Sequence, residues 1–367
     1  MSGTVPVARR NILVDRRRLL TSVFGVGAAV ALILLLQGLW SGFREQISAY
    51  EDNVGADLFV GEAGTRNFFG VPSVLPIDTA ATVRAIALVE RAEPVAVRFA
   101  VLDLHDRKVS TFLVGSVAGE MGGPWELVEG RAVRRDDEAV VDQSLADQHG
   151  IELGEDLEVM GERFRVVGVS GGTRSWMAGF VFTSHRAVER LLSMPGTTSF
   201  VLVRTPEPRA VAEAIRTRTG LTVLTPTELG DNDRELLARI MEGPLYLILL
   251  IVFVAGTLIV ALTVYSGVVE RIREYGIAKA MGARRRRLLR IVLGQTLIVG
   301  ALGATAGYLM FLGASRLVVA LRPQMWVKMS SSGALAVAAA TALMALLAAV
   351  VPTRRVAGLD PASVYRG

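Results

Sequence analysis

The chain has 367 residues, 51% of them hydrophobic, and a positive mean hydropathy of +0.43. Soluble domains rarely combine these values, so several membrane spans are expected. Cysteine is absent, which excludes disulfides and thiolate metal sites. A net charge of +5 with only three lysines (Lys108, Lys279, Lys328) leaves arginine as the main cation. That balance alone would suit a nucleic-acid binder, but the placement of the charge along the chain argues for a membrane topology.

Residues 1–18 carry Arg9, Arg10, Arg16, Arg17 and Arg18 against one acid, Asp15. Leu19 to Trp40 is apolar apart from Thr21, Ser22 and Gln37, long enough at about 1.5 Å per residue to cross a hydrocarbon core roughly 30 Å thick. A cleaved signal peptide is the alternative; the run is too long and no A-x-A-like site follows it.

Residues 41–243 hold 21 basic and 31 acidic residues, the soluble part of the chain. Short β-type runs fall at Asp57–Val60, Val95–Asp103, Val109–Val114, Ala139–Val141, Asp156–Met160, Phe164–Val169, Val181–Thr183, Ser199–Arg204 and Leu221–Leu224. Helical patterns fall at Asp78–Ile86, with Asp78 as N-cap, and at Ser184–Leu192 and Pro208–Gly220. The two ends share an α/β character and the middle is mostly β. This predicts a discontinuous α/β part over about 50–105 and 195–227, interrupted by a β-rich insertion over about 106–194. A charged helical stretch, 228–243, reads as a stalk running into the next span, or as a solvated surface helix.

Three more apolar runs follow, at 244–269, 288–312 and 333–351, joined by a loop at 270–287 and a second at 313–332 and followed by a tail at 352–367. None contains an internal acid, and Arg290 at an entry can snorkel to the interface. Gly300, Gly303 and Gly307 stand in the third run, the last two as G-x-x-x-G. Small residues let helices approach closely in lipid, either within the chain or at a dimer seam. The segments 1–18, 270–290 and 352–367 together hold 16 basic residues against four acidic ones. The positive-inside rule places all three in the cytoplasm and 41–243 outside. The basic excess then needs no nucleic acid. The fold class is a membrane α-helical protein with four transmembrane helices plus an extracytoplasmic α/β domain with a β-rich insertion.

Enzymatic signals are weak. Gly168-Val169-Ser170-Gly171-Gly172 matches G-x-S-x-G, but the only following histidine, His185, lies too close to complete a hydrolase fold. His105, His149 and His185 have no metal-ligand spacing. Asp136-Asp137-Glu138 reads as a turn before a strand rather than a cation site. No glycine is followed by lysine anywhere, so the P-loop pattern does not occur. The runs also lack the buried carboxylates and lysines of ion-coupled carriers. Energy for any transport has to come from a partner.

The loop reads Val269-Glu270-Arg271-Ile272-Arg273-Glu274-Tyr275-Gly276-Ile277-Ala278-Lys279-Ala280-Met281-Gly282-Ala283, then four arginines. By its charges alone it is a helical hairpin at an anionic membrane face. In residue order it resembles the coupling loop of MacB/FtsX/LolC-type (type VII, mechanotransmission) ABC transporter permeases, here without a fused ATPase domain. Glu270, Arg271, Arg273, Glu274, Gly276, Ile277, Lys279, Ala280, Gly282 and Ala283 fit that pattern, and Tyr275 replaces the more usual aliphatic residue. Ala8-Arg9-Arg10-Asn11 resembles the family's amphipathic N-terminal helix. Pro352-Thr353-Arg354-Arg355 and Leu359-Asp360-Pro361-Ala362 resemble its C-terminal signature.

The resemblance implies a multi-pass cell-membrane subunit with both termini cytoplasmic and no catalytic residues, metal or cofactor of its own. ATP and Mg are bound by a separate partner ATPase, into which the loop docks. A second permease copy, identical or related, completes the dimer. Membrane lipids and an extracytoplasmic adaptor or effector are the remaining partners. Export or extraction of an amphipathic substrate is the expected task. Activation of cell-wall hydrolases, as in the FtsX branch, and a sensor or scaffold without an ATPase are the alternatives.

Overall fold

The computed structural model describes residues 16–357 apart from 71–72, 105–106, 176–177, 271, 282–284 and 323–324. In chain order the elements begin with α1 (Arg16–Gln46), α2 (Ala49–Asn53), β1 (Leu58–Gly61), β2 (Leu75–Pro76), α3 (Thr79–Arg84), β3 (Arg91–Leu104) and β4 (Arg107–Ser116). Next come β5 (Leu127–Gly130), β6 (Glu138–Asp142), α4 (Gln143–His149), β7 (Asp156–Val159), β8 (Glu162–Ser170), β9 (Phe180–Ser184) and α5 (His185–Leu191). The rest are β10 (Thr197–Thr198), β11 (Phe200–Arg204), α6 (Pro208–Thr219), β12 (Thr222–Leu224), α7 (Pro226–Glu270), α8 (Ile272–Ala280), α9 (Arg285–Leu321) and α10 (Ser331–Ala357). Two compact units result: an α/β unit of residues 42–242 and 321–326, and a helical unit whose described residues are 16–41, 243–320 and 327–357.

In the α/β unit the strands pair in the order β12–β1–β11–β3–β4–β9–β6–β8–β5, and β7 pairs with both β3 and β8. The path β3–β4–β9–β6–β8–β7 therefore returns to β3 and closes a small barrel, which removes exposed sheet edges. Leu102, Leu113, Val141, Leu157, Phe164 and Val181 fill one core cluster of these strands. The β-rich insertion is thus built directly onto the α/β part, because β3 serves both: residues 91–95 pair with β11, while 102–103 pair with β7.

Alternation along the strands sorts the rest of the core. Leu58, Val60, Val201 and Val203 pack with Val83 of α3 and Val211 and Ile215 of α6. Phe59, Phe200 and Leu202, on the opposite face, join an aromatic cluster with Tyr50, Phe68, Phe112, Phe180 and Phe182. α4, an element with no clear sequence pattern, is held by its ends. Asp142 caps it by accepting from the Ser144 backbone N–H at 2.9 Å, and Gly150 closes it in the left-handed region at φ 67°.

One expectation changes, and the helix ends are now defined. Asp78 precedes α3 but makes no side-chain cap bond, because its own backbone is already right-handed helical, a geometry that does not aim a capping oxygen at the first turn. The stalk and the second span are one 45-residue helix, α7, about 67 Å long. Only its apolar part, 244–269, matches the bilayer thickness; 228–242 carries the charged residues and belongs to the α/β unit. Pro244 lies inside α7 beside the unit boundary at Gly243 and deletes one ladder hydrogen bond there. α9 continues beyond the apolar run 288–312, to Leu321. α10 likewise continues past Pro352 to Ala357.

Among the described residues four helices are long and apolar enough to cross a membrane: Leu19–Gln46, Pro226–Glu270, Arg290–Leu321 and Ser331–Arg354. α1 is the most enclosed of them, with 44% of its span window buried against 22% for α7.

Candidate functional site

The candidate site is the short segment between α7 and α9. Glu270 ends α7, where Ser266 Oγ lies 3.5 Å from its Oε1. α8 follows at Ile272–Ala280, and the Met281 N–H donates to the Ile277 carbonyl at 2.9 Å, so the helical turn extends one residue further. Gly276, Lys279 and Ala280 lie on this helix. Arg271, Gly282 and Ala283 lie outside the described residues, as do the N-terminal Ala8-Arg9-Arg10-Asn11 segment, the Leu359-Asp360-Pro361-Ala362 segment and His105.

α8 has two faces. Tyr275 is buried at 6% exposure and packs in the cluster of Val264, Val268, Leu288 and Val292. Its aromatic ring, the departure from an aliphatic residue, is therefore the anchor of the segment rather than part of its outer surface. Arg273 and Glu274 are exposed. Ile277 is 44% exposed and Met281 78% exposed. Ile277 lies four residues after Arg273, three after Glu274 and four before Met281, so the four positions share one side of the helix. Met281 has no distinguishing sequence context; an unbranched apolar side chain after a helix end carries no signal until its exposure is known. Arg286 and Arg290 add exposed positive charge at the start of α9.

Gly300, Gly303 and Gly307 of α9 sit at seams inside the helical unit. A Cβ on Gly303 would lie 2.5 Å from Val26 Cγ1 and 2.7 Å from Val26 Cβ. One on Gly307 would lie 2.7 Å from the Gly27 carbonyl oxygen and 2.7 Å from Val30 Cβ. Gly27, on α1, completes this crossing, since a Cβ there would meet the Gly307 backbone nitrogen at 3.2 Å. Gly300 faces Ala345 of α10, at 3.2 Å from its Cβ. Ser22 donates to Thr263 at 3.0 Å and ties α1 to α7. Gly27 and Ser22 have no distinguishing pattern in the sequence, because only the partner helix makes them contact residues.

The other chemical motifs resolve into structure. Ser170 is fully buried, bonds Thr173 at 2.5 Å and donates to the Val141 carbonyl at 3.3 Å, so it ends β8 and is not a presented nucleophile. His185 is buried at the start of α5, where burial lowers its pKa and Glu189 opposes that shift. Glu138 is chelated by Arg131 through bonds of 2.7 and 2.6 Å and also accepts from the Arg134 backbone N–H at 2.9 Å. The Arg131 hydrogen bond leads in lowering its pKa to about 2. Asp136 pairs with Arg190. Two acids of the run, Asp136 and Glu138, are therefore paired with arginines. Among the described residues no cluster of potential ligands is arranged to hold a metal ion.

Comparison with known proteins assigns both units. Residues 19–218 match the MacB-like periplasmic core domain, and residues 246–361 match the FtsX-like permease C-terminal domain. The chain belongs to the MacB/FtsX family of ABC transporter permeases. The "uncharacterized ABC transporter permease Rv2563" of Mycobacterium tuberculosis is 28% identical to this permease over 364 residues, covering 98% of this chain and 99% of that one. The "pyoverdine export ATP-binding/permease protein PvdT" of Pseudomonas fluorescens is 24% identical over 97% of the permease, which spans 58% of that longer protein. The periplasmic region of MacB from Actinobacillus actinomycetemcomitans aligns with 47% of the permease at 13% identity and a TM-score of 0.37. The candidate segment, 270–287, falls inside the FtsX-like match. As an ABC transporter permease the chain implies a partner ATPase.

Proposed function

We propose that this permease couples ATP hydrolysis by a separate ATPase to movement of its α/β domain, and that α8 is the coupling helix. The observation that carries the proposal is the two-faced build of α8. Tyr275 is buried among residues of α7 and α9, while Arg273, Glu274, Ile277 and Met281 are exposed together on the opposite side. An exposed apolar pair ringed by charge is the pattern of a helix that docks in a groove. Glu270, Arg271, Lys279, Gly282 and Ala283 complete the proposed contact.

In this reading the termini and α8 are cytoplasmic and the α/β domain is extracytoplasmic, which the arginine distribution supports. Two permeases pair with two ATPases. Closure of the ATPases on ATP pushes α8, and the continuous helix α7 carries the displacement to residues 226–242. Outward export or extraction of an amphipathic substrate is supported by the export named for the Pseudomonas relative.

The test is co-purification and ATP hydrolysis of the reconstituted permease with its ABC ATPase. Burying an apolar side chain of this size is worth about 1.5–3 kcal/mol. Ile277→Asp with Met281→Asp is expected to weaken association by about a hundredfold or more, and Glu274→Ala and Gly282→Val to uncouple hydrolysis from the permease. Unchanged affinity and unchanged hydrolysis in all of these variants would refute the docking assignment.

A further inference from the structure

Two carboxyl groups are buried close together in the α/β unit, and one of them lacks the donors that a buried charge requires. Glu51, on α2, is 1% exposed, and beyond a contact with its own backbone N–H neither of its oxygens meets a donor among the described residues. Asp233, on the charged part of α7, is fully buried. Asp233 accepts from the Phe68 N–H at 2.8 Å and the Phe69 N–H at 3.4 Å, and from the Asn67 side chain. The Glu51 and Asp233 carboxyls lie within hydrogen-bonding reach of each other. As two carboxylates they would both be acceptors, with no hydrogen between them. A proton on Glu51 removes the conflict: Glu51 becomes the donor and Asp233 the acceptor.

Among the described residues no cation is placed to replace that proton. Arg234 is next to Asp233 in sequence, but its guanidinium is engaged elsewhere. It bonds Ser48 Oγ at 2.5 Å, Asp231 at 2.7 Å, Asp52 at 3.4 Å and the Arg44 carbonyl at 3.2 Å. On α2 the other acid is Asp52, whose charge further disfavours ionisation of Glu51. Tyr50 stays neutral, its hydroxyl donating to the Gly122 carbonyl at 3.0 Å, and burial raises its pKa. On the segment before β2, the Arg66 carbonyl accepts from Asn232 at 2.9 Å. At the end of α1 the charged neighbours in sequence are Arg44 and Glu45.

We propose that Glu51 and Asp233 share one proton and form a protonation-dependent clasp, which fastens α2 to the charged part of α7 and loosens when the proton is lost. The location gives the clasp a role. α2 begins three residues after the first apolar helix ends, and Asp233 stands on the helix whose apolar part is the second span. The clasp thus ties together the chain leaving one span and the helix entering the next. Burial is the largest cause raising both groups, and the Asp233 charge adds to the shift of Glu51. The backbone donors at Phe68 and Phe69 counter part of the shift at Asp233, which places the proton on Glu51. The fastened state binds more protons than the loosened one. Its stability is therefore complete below the ordinary carboxylate range and falls as pH rises through the raised pKa of Glu51.

The test uses the full-length permease in lipid nanodiscs, without ATPase or substrate. Glu51→Gln keeps a donor toward Asp233 but does not ionise. Amide hydrogen exchange of residues 47–54 and 226–242 is followed from mildly acidic to alkaline pH. Intrinsic exchange accelerates equally in both proteins, so their ratio reports the clasp. Above the pKa of Glu51 the wild type should gain about tenfold in relative exchange per pH unit. A ratio that stays constant with pH overturns the proposal. Infrared spectroscopy supplies a readout on the wild type alone: a protonated-carboxyl C=O band at neutral pH that disappears at alkaline pH and shifts in Asp233→Asn. Absence of that band also overturns it. Neither readout involves ATP, so the clasp stands or falls separately from the coupling assignment.

Discussion

Gly307→Ala and Gly313→Ala make the same chemical change six residues apart on α9, yet the structure assigns them different outcomes. A Cβ at Gly307 lies 2.7 Å from both the Gly27 carbonyl oxygen and Val30 Cβ. Ordinary contact begins near 3.4 Å, so α1 and α9 must separate locally by about 0.7 Å to admit the methyl group. Neither obstructing atom is the free end of a flexible side chain, and neither can rotate away. Overpacking of this kind costs about 1–3 kcal/mol. A Cβ at Gly313 meets nothing within 4 Å. Both substitutions gain about 1 kcal/mol of helix propensity, which cancels in the comparison. Gly307→Ala should therefore be less stable than Gly313→Ala by about 2 kcal/mol. Equilibrium unfolding of the permease by denaturing detergent in mixed micelles measures that difference. Equal stability of the two variants would refute a close-packed α1–α9 crossing at Gly27, Gly303 and Gly307.

Two further predictions concern the α/β unit. Glu138 has a folded pKa of about 2, below the ordinary glutamate value of about 4.3, so its ion pair with Arg131 stabilises the fold above that ordinary value and is lost as pH falls toward the folded one. Glu138→Gln should lower stability by about 2 kcal/mol at neutral pH and flatten the acid limb of the thermal-unfolding profile; an unchanged acid limb would exclude the pair as its source. Tyr50→Phe removes the buried bond to the Gly122 carbonyl and should cost about 1–2 kcal/mol in denaturant unfolding, with the stacked contact to Phe68 retained.

The reach of sequence reasoning differs between the two units. Apolar runs of bilayer length are long, one-dimensional signals, so the four candidate spans stand out from hydropathy alone. Their ends do not. α9 continues through Gly313 to Leu321, and hydropathy says nothing about a helix that continues beyond the apolar run. In the α/β unit, strands with clear alternation, such as Leu58 to Gly61 and Phe200 to Arg204, are legible. Short elements held by their caps, such as α4, are not. The closed circuit through β7 is out of reach as well, since strand partners far apart in sequence leave no local trace.

The same division holds for the candidate site. The order of glutamates, glycines and Lys279 after the second span is enough to suggest a coupling loop. That Tyr275 anchors the loop while Ile277 and Met281 are presented depends on which residues of α7 and α9 pack against it. Glu51 and Asp233 show the point most plainly. In sequence each is one acid among many in a charged stretch, 182 positions apart. Local pattern determined the four candidate spans, the candidate segment between α7 and α9 and most strands, because hydrophobic period and residue order are properties of neighbours along the chain. Barrel closure, the α1–α9 glycine crossing and the buried carboxyl pair were decided by tertiary structure alone, because burial and contact belong to residues that meet only once the chain has folded.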